Sequence, residues 1–140
     1  MKLQKLISKL EKHHKKKLDL SLGRTFNLLK KLGDPQDKLK NVITVVGTNA
    51  KASMCYSLKS ILNLAGHKTN LYTSPHLLSY TERYVFEDKE INEEDLIELL
   101  TDVEKTLGDD NATLFEILTC AFLKPVSYTH LRAHETKANL

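Results

Sequence analysis

The sequence predicts an α/β fold, a parallel sheet with flanking helices built around a phosphate-type loop. Three observations carry this. An apolar, β-branched run, Val42-Ile43-Thr44-Val45-Val46, has no polar alternation and reads as a strand buried on both faces. It feeds Gly47-Thr48-Asn49-Ala50-Lys51-Ala52-Ser53, a small-residue loop with a lysine and a serine, and a helical pattern follows at once. Asn70-Leu71-Tyr72-Thr73 then reads as a second strand, so strand, helix and strand form a right-handed parallel βαβ unit over residues 42–73.

The remaining elements follow in order. Leu3, Leu6, Ile7 and Leu10 lie on one face of a helix over 2–12, whose other face is lysine. The first 17 residues hold seven lysines against Glu11 alone, which would suit a membrane-surface or nucleic-acid helix. The apolar side has no aromatic anchor and is short, so a packed helix with a solvated lysine face is the preferred reading. Ser21 is a candidate cap for a helix over 22–32 with Leu22, Phe26, Leu29 and Leu32 inward, stopped by Gly33-Asp34-Pro35. The helix after the loop spans 52–65 and carries Met54, Leu58, Ile61, Leu62 and Leu64, ending at Gly66. Ser74-Pro75-His76-Leu77 leaves the sheet as a loop. Residues 83–86 and 90–91 read as a short hairpin about Glu87-Asp88-Lys89. Asn92 precedes a helix over 93–107 with Leu96, Ile97, Leu99, Leu100, Val103 and Leu107 as its stripe, and Thr113 to Glu116 opens a last helix to about Leu123.

Composition narrows the class. The chain has 140 residues, 41% hydrophobic and 28% charged, which suits a soluble globular domain with a real core. No repeat or linker stands out. The net charge of +3 is too small to select a partner. Cys55 and Cys120 lack metal-type spacing and read as reduced thiols, which with the missing apolar leader points to the cytoplasm. No apolar run approaches about 18 residues, so no membrane span is expected. Residues 125–140 break the lysine- and leucine-rich style of the rest. His130 and His134 stand at i and i+4 but lack a third metal ligand. The stretch from Val126 to Thr136 looks like translated sequencing adapter, for which a disordered or poorly packed extension is expected.

Binding phosphate at a βα turn takes converging N–H groups, a cation and a hydroxyl for Mg²⁺. Residues 47–52, Lys51 and Ser53 can supply these in turn. The motif departs from G-x-x-x-x-G-K-[ST], because Ala50 stands where glycine is expected. A positive φ there would cost about 1–2 kcal/mol. A plain strand-to-helix turn with an exposed lysine is the alternative. In a parallel sheet Ser74 would lie beside the loop as a second metal ligand, although by itself it reads more simply as a turn serine. His76 has no identifiable base partner.

These motifs together resemble the N-terminal part of the folylpolyglutamate synthase/dihydrofolate synthase family of the Mur ligase superfamily. Lys17-Leu18-Asp19-Leu20-Ser21-Leu22-Gly23-Arg24 is similar to its Asp-Leu-Gly-Leu-x-Arg segment. Leu32-Gly33-Asp34-Pro35-Gln36 and residues 42–53 are similar to its Leu-Gly-Asn-Pro-Gln lead-in and Gly-Thr-Asn-Gly-Lys-Gly-Ser loop. Residues 71–77, Tyr80-Thr81-Glu82-Arg83 and Thr113-Leu114-Phe115-Glu116 match its Tyr-Thr-Ser-Pro-His-Leu, Glu-Arg and Thr-x-Phe-Glu segments. The resemblance covers about residues 1–124. It implies a Mur-ligase-like central ATPase domain, truncated, and an ATP- and Mg²⁺-dependent ligase joining L-glutamate to dihydropteroate or folates through an acyl phosphate. It implies that Gly47, Thr48, Asn49, Ala50, Lys51, Ala52 and Ser53 hold ATP, and that Ser53 and Ser74 hold Mg²⁺. Asp19, Leu20, Ser21, Thr113, Leu114, Phe115 and Glu116 would line the pteridine site. Partners are then small molecules, with no nucleic acid or membrane, and the full-length protein is expected to be a monomer. Ala50, Ala52 and Ser21 replace family glycines. The family's Glu-Val-Gly-Leu-Gly-Gly strand, metal-binding histidine and second domain have no counterpart after Lys124. The chain therefore reads as an N-terminal fragment, expected to be inactive alone. A non-catalytic nucleotide-binding module and a basic helical interaction protein are the alternatives.

Overall fold

The computed structural model describes residues 2–13 and 22–138. They form two compact units, one of residues 1–39 with 93–140 and one of residues 40–92. No glycine- or proline-rich linker marks either crossing, which is why the division leaves no sequence signal.

The first unit is helical: α1 (Leu3–Leu10), α2 (Gly23–Lys31), α4 (Glu93–Leu107) and α5 (Leu114–Ala138), numbered in chain order with α3 in the other unit. Its helices form because each has an apolar stripe with a partner. Leu3, Leu6, Ile7 and Leu10 of α1 are buried against α4, whose Leu96, Leu100, Val103 and Leu107 are also buried. The packed-helix reading of residues 2–12 therefore holds, and Lys9 pairs with Glu104 at 2.9 Å. Glycine at 33 takes φ +84 and ends α2: its N–H donates to Lys30 C=O and the Asp34 N–H to Leu29 C=O, the paired closure of a Schellman motif. Leu29 and Leu32 point inward as expected, but Leu22 and Phe26 are exposed, at 65% and 59%. Leu28 is buried instead, one position round the helix from the expected face. The Ser21 cap lies outside the described residues.

The second unit holds α3 (Lys51–Leu64) and the strands β1 (Leu71–Tyr72), β2 (Tyr84–Phe86) and β3 (Lys89–Glu90). The expected hairpin forms, but Lys89, expected in the turn, pairs with Phe86 as the first residue of β3. Glu87 and Asp88, both at positive φ, form its two-residue turn. Asp88 ties that turn to α3, accepting from Asn63 at 2.6 Å and pairing with Lys59 at 3.2 Å; the Asn63 bond leads in holding its pKa below the ordinary value. Gly66, at φ +85, closes α3 as a second Schellman motif.

The expected parallel βαβ pairing is not formed. Among the described residues the sheet has three strands in the order β1-β2-β3, both pairs antiparallel. Residues 42–46 are unpaired, with Val42, Ile43 and Val46 at 67%, 60% and 84% exposure, and α3 buries none of its residues. A two-sided apolar strand needs a hydrogen-bonded neighbour along its edges and cover on both faces. β1 takes β2 as its neighbour, and residues 42–46 find none.

The last helix also overruns its expected end at Leu123. Its backbone continues through Pro125 to Ala138, and Val126 and Ser127 are buried. Pro125 removes one N–H from the helical ladder, Ser127 Oγ bonds back to Lys124 C=O at 2.7 Å, and no glycine or second proline follows to stop the helix. The side chains of His130 and His134 lie outside the described residues.

Candidate functional site

Within the second unit, Gly47 to Ser53 forms an exposed loop that runs straight into the first turn of α3. The first helical bond runs from Met54 N–H to Ala50 C=O at 2.9 Å. The amides of Lys51, Ala52 and Ser53 precede it, so they are first-turn donors available to an anion. Ala50 caps the helix at φ 59, ψ 10, the left-handed region where glycine is expected. Lys51 Nζ folds back over the loop and donates to Gly47 C=O at 2.5 Å and Thr48 C=O at 3.3 Å. A lysine ammonium, first-turn amides and the Ser53 hydroxyl on one exposed turn fit a polyphosphate carrying a divalent cation.

Ser74 is exposed on the loop after β1. Two neighbouring residues hold this loop. The Glu82 carboxylate accepts from the N–H groups of Leu77, Leu78 and Ser79, each at 2.7 Å. Those bonds, Leu77 first, hold its pKa below the ordinary value. Buried Arg83 donates from Nε to His76 Nδ1 at 2.8 Å and from Nη1 to Ser74 Oγ at 3.2 Å. Its guanidinium carbon lies 5.3 Å from the Tyr80 ring centroid, and His76 stacks on the same ring at 4.2 Å. His76 thus accepts at Nδ1, and burial followed by the Arg83 charge lowers its pKa. Sequence reasoning left Glu82 and Arg83 without roles. Ser79-x-x-Glu82 is a capping-box spacing, and the structure forms that box.

The first unit holds Thr113 to Glu116 at the start of α5; Asp19, Leu20 and Ser21 lie outside the described residues. Thr113 and Glu116 form another capping box. The Thr113 N–H donates to Glu116 Oε2 at 2.6 Å, and the Glu116 N–H donates to Thr113 Oγ1 at 3.2 Å. Arg24 grips the same carboxylate, Nη2 to Oε1 at 3.0 Å and Nε to Oε2 at 3.3 Å. Burial pushes the Glu116 pKa up, but Arg24 and then Thr113 outweigh it, and the net shift is downward. Glu116 is thereby committed to holding the helix start, while Phe115 beside it is exposed. Nearby Cys120 is buried, and burial followed by the Glu116 charge pushes its thiol up to about 12. Among the described residues no three histidine, cysteine or acidic side chains cluster as a metal site, and no helix is long and apolar enough to cross a membrane.

No family model matches the chain. The structure superposes on Escherichia coli FolC in complex with DHPP and ADP with a TM-score of 0.84 at 36% identity, covering 92% of this chain and 31% of that one. It superposes on the Yersinia pestis bifunctional folylpolyglutamate synthase/dihydrofolate synthase complexed with AMPPNP and Mn with a TM-score of 0.83 at 32% identity, covering 92% and 31%. The fold is thus Mur-ligase-like, represented here by part of its length. A curated relative, the dihydrofolate synthase/folylpolyglutamate synthase of Escherichia coli strain K12, is 38% identical over 117 residues, 84% of this chain and 28% of the relative. Over these matched residues the chain belongs to the dihydrofolate synthase/folylpolyglutamate synthase family, and it spans less than a third of the length of the curated relatives it matches.

Proposed function

We propose that the protein of which this chain is a part is an ATP-dependent carboxylate–amine ligase that adds L-glutamate to dihydropteroate, folates or both. The observation that carries this is the exposed turn of residues 47–53, with Lys51 folded over it and the amides of α3 opening behind it. It occurs in a chain 36% identical to a protein solved with DHPP and ADP.

On this reading Thr48, Asn49, Ala50, Lys51 and Ser53 hold the phosphates, while Ser53 and Ser74 hold Mg²⁺, which neutralises phosphate charge when bound. A carboxylate oxygen of the pterin substrate attacks the γ-phosphorus and ADP leaves. The glutamate amine then attacks the acyl carbon, and inorganic phosphate leaves as the amide forms. Lys51 and the backbone donors contribute charge and position rather than covalent chemistry. Thr113 to Phe115, held by the Glu116–Arg24 pair, line the pteridine site with Asp19, Leu20 and Ser21. Residues 1–124 are the N-terminal part of the ligase domain, and residues 125–140 are foreign to it. The rest of the enzyme supplies the strands that cover residues 42–46 and α3, and the whole enzyme works as a cytoplasmic monomer. This chain alone binds nucleotide without turning it over.

Two experiments test the reading. Genomic DNA past codon 124 should continue in frame into Glu-Val-Gly-Leu-Gly-Gly; clean DNA ending after codon 140 contradicts it. The full-length enzyme should release ADP with glutamate plus dihydropteroate or a folate, and no ADP release with either acceptor defeats the ligase assignment. The interaction-protein alternative loses ground because the apolar face of α1 is buried against α4.

A further inference from the structure

We propose that Arg83 is a positioning residue for the metal-bound nucleotide, because one buried guanidinium bridges the Ser74 hydroxyl and the His76 ring and so sets which lone pair of Ser74 faces a cation. The inference rests on the reading of Ser74 as a metal ligand and assigns Arg83 a role in that same site.

Three observations carry it. Arg83 is buried, whereas Ser74, which it reaches, is exposed. Its two donors go to different acceptors, Nη1 to Ser74 Oγ at 3.2 Å and Nε to His76 Nδ1 at 2.8 Å, so the planar fork fixes both side chains in one geometry. The backbone between and beyond them is fixed separately, since Glu82 takes the three amides of Leu77, Leu78 and Ser79. Backbone placement is thus Glu82's task, and orientation of the hydroxyl is left to Arg83. A serine oxygen has two lone pairs and one proton. With one lone pair occupied by Nη1, the other is directed away from Arg83 and outward, where an exposed hydroxyl can meet a cation. Groups that orient metal ligands in this way are typically worth roughly 10–100-fold in metal affinity.

The test uses the 140-residue chain, Mn²⁺ as a paramagnetic probe and AMPPNP as the nucleotide. Mn²⁺ affinity in the presence of AMPPNP is read by electron paramagnetic resonance, and AMPPNP affinity without metal by calorimetry. Arg83→Gln should weaken Mn²⁺ by roughly tenfold or more and leave metal-free AMPPNP affinity within about twofold. Ser74→Ala should weaken Mn²⁺ similarly, and the double variant should be no worse than the worse single one. Arg83→Lys keeps the charge but loses the fork, so it should also lose Mn²⁺ affinity; this variant carries the test if Arg83→Gln fails to fold. Wild-type Mn²⁺ affinity in Arg83→Lys, or additive losses in the double variant, overturns the proposal while leaving the nucleotide site standing. Absence of Mn²⁺ uptake by the wild type overturns the Ser74 reading and this role with it.

Discussion

The two units of this chain handle their apolar residues in opposite ways. In the helical unit every long helix finds a partner: Leu6 and Leu10 of α1, Leu96 and Leu100 of α4, and Ile117 of α5 are all fully buried. In the unit of residues 40–92, α3 buries nothing and the run at 42–46 faces solvent, although its composition is as apolar as any stripe in the first unit. Apolar pattern predicts an element, but burial needs a second surface, and a two-sided strand needs more surface than an amphipathic helix. The hairpin holds the second unit's own small apolar cluster, with Tyr84 and Val85 buried and Tyr72 and Phe86 against the Tyr84 ring, and polar ties do the rest. Asp88 gathers Asn63, Thr69 and Lys59, and Glu82 gathers three amides. The phosphate-type turn and the Ser74 loop therefore rest on polar ties, whereas the start of α5 rests on the part-buried Arg24–Glu116 pair beside the buried stripe of Ile117, Leu118 and Ala121.

That contrast can be broken experimentally. The largest effect belongs to the helical core. Leu100→Ala should cost about 2–5 kcal/mol by denaturant unfolding, whereas Ile61→Ala on exposed α3 should change stability by less than about 0.5 kcal/mol. Equal costs would mean that α3 is covered in solution. Next, Arg24→Ala should cost about 3 kcal/mol, because it strands a buried carboxylate. The pH dependence has a definite sign. Glu116 has a depressed folded-state pKa, so its contribution is present above the ordinary glutamate value of about 4.3 and is lost as pH falls below it. Glu116→Gln should flatten that acid limb in thermal melts. A smaller effect of opposite sign is expected at the phosphate-type turn, where Ala50→Gly should raise stability by about 0.5–1 kcal/mol by relieving the left-handed alanine. The smallest is local: Glu82→Gln should speed amide exchange at Leu77, Leu78 and Ser79 without moving the global midpoint.

Much of the fold was legible where local rules suffice. The stripes of α1 and α4 and the glycine stops at 33 and 66 follow from period and turn chemistry and formed where they were expected, and the hairpin formed with a turn one residue shorter than expected, Lys89 entering β3. The parallel pairing of residues 42–46 was not realised because strand pairing is non-local and the partner must be available. Leu22 and Phe26 are exposed although Leu29 and Leu32 on the same expected face are buried, so a helical period alone does not say how much of a stripe finds cover. The end of α5 was not legible because residues 125–140 carry no clear apolar period, yet the helical backbone continues through Pro125. At the candidate site, the turn at 47–53 and the left-handed strain at Ala50 could be read from residue order alone. The Arg83 fork and the Arg24–Glu116 pair join residues through their side chains, and only the capping spacings Ser79-x-x-Glu82 and Thr113-x-x-Glu116 hinted at them.

The central claim is that residues 47–53 form a nucleotide-binding turn in a unit whose strand-like run at 42–46 and helix α3 are left uncovered. Calorimetric titration of Mg²⁺-ATP into the wild-type chain and into Lys51→Ala tests it most directly. Saturable binding by the wild type, weakened at least about tenfold by removal of the ammonium, is the result this structure predicts. Equal affinities in the two proteins, or no binding to the wild type, would contradict it.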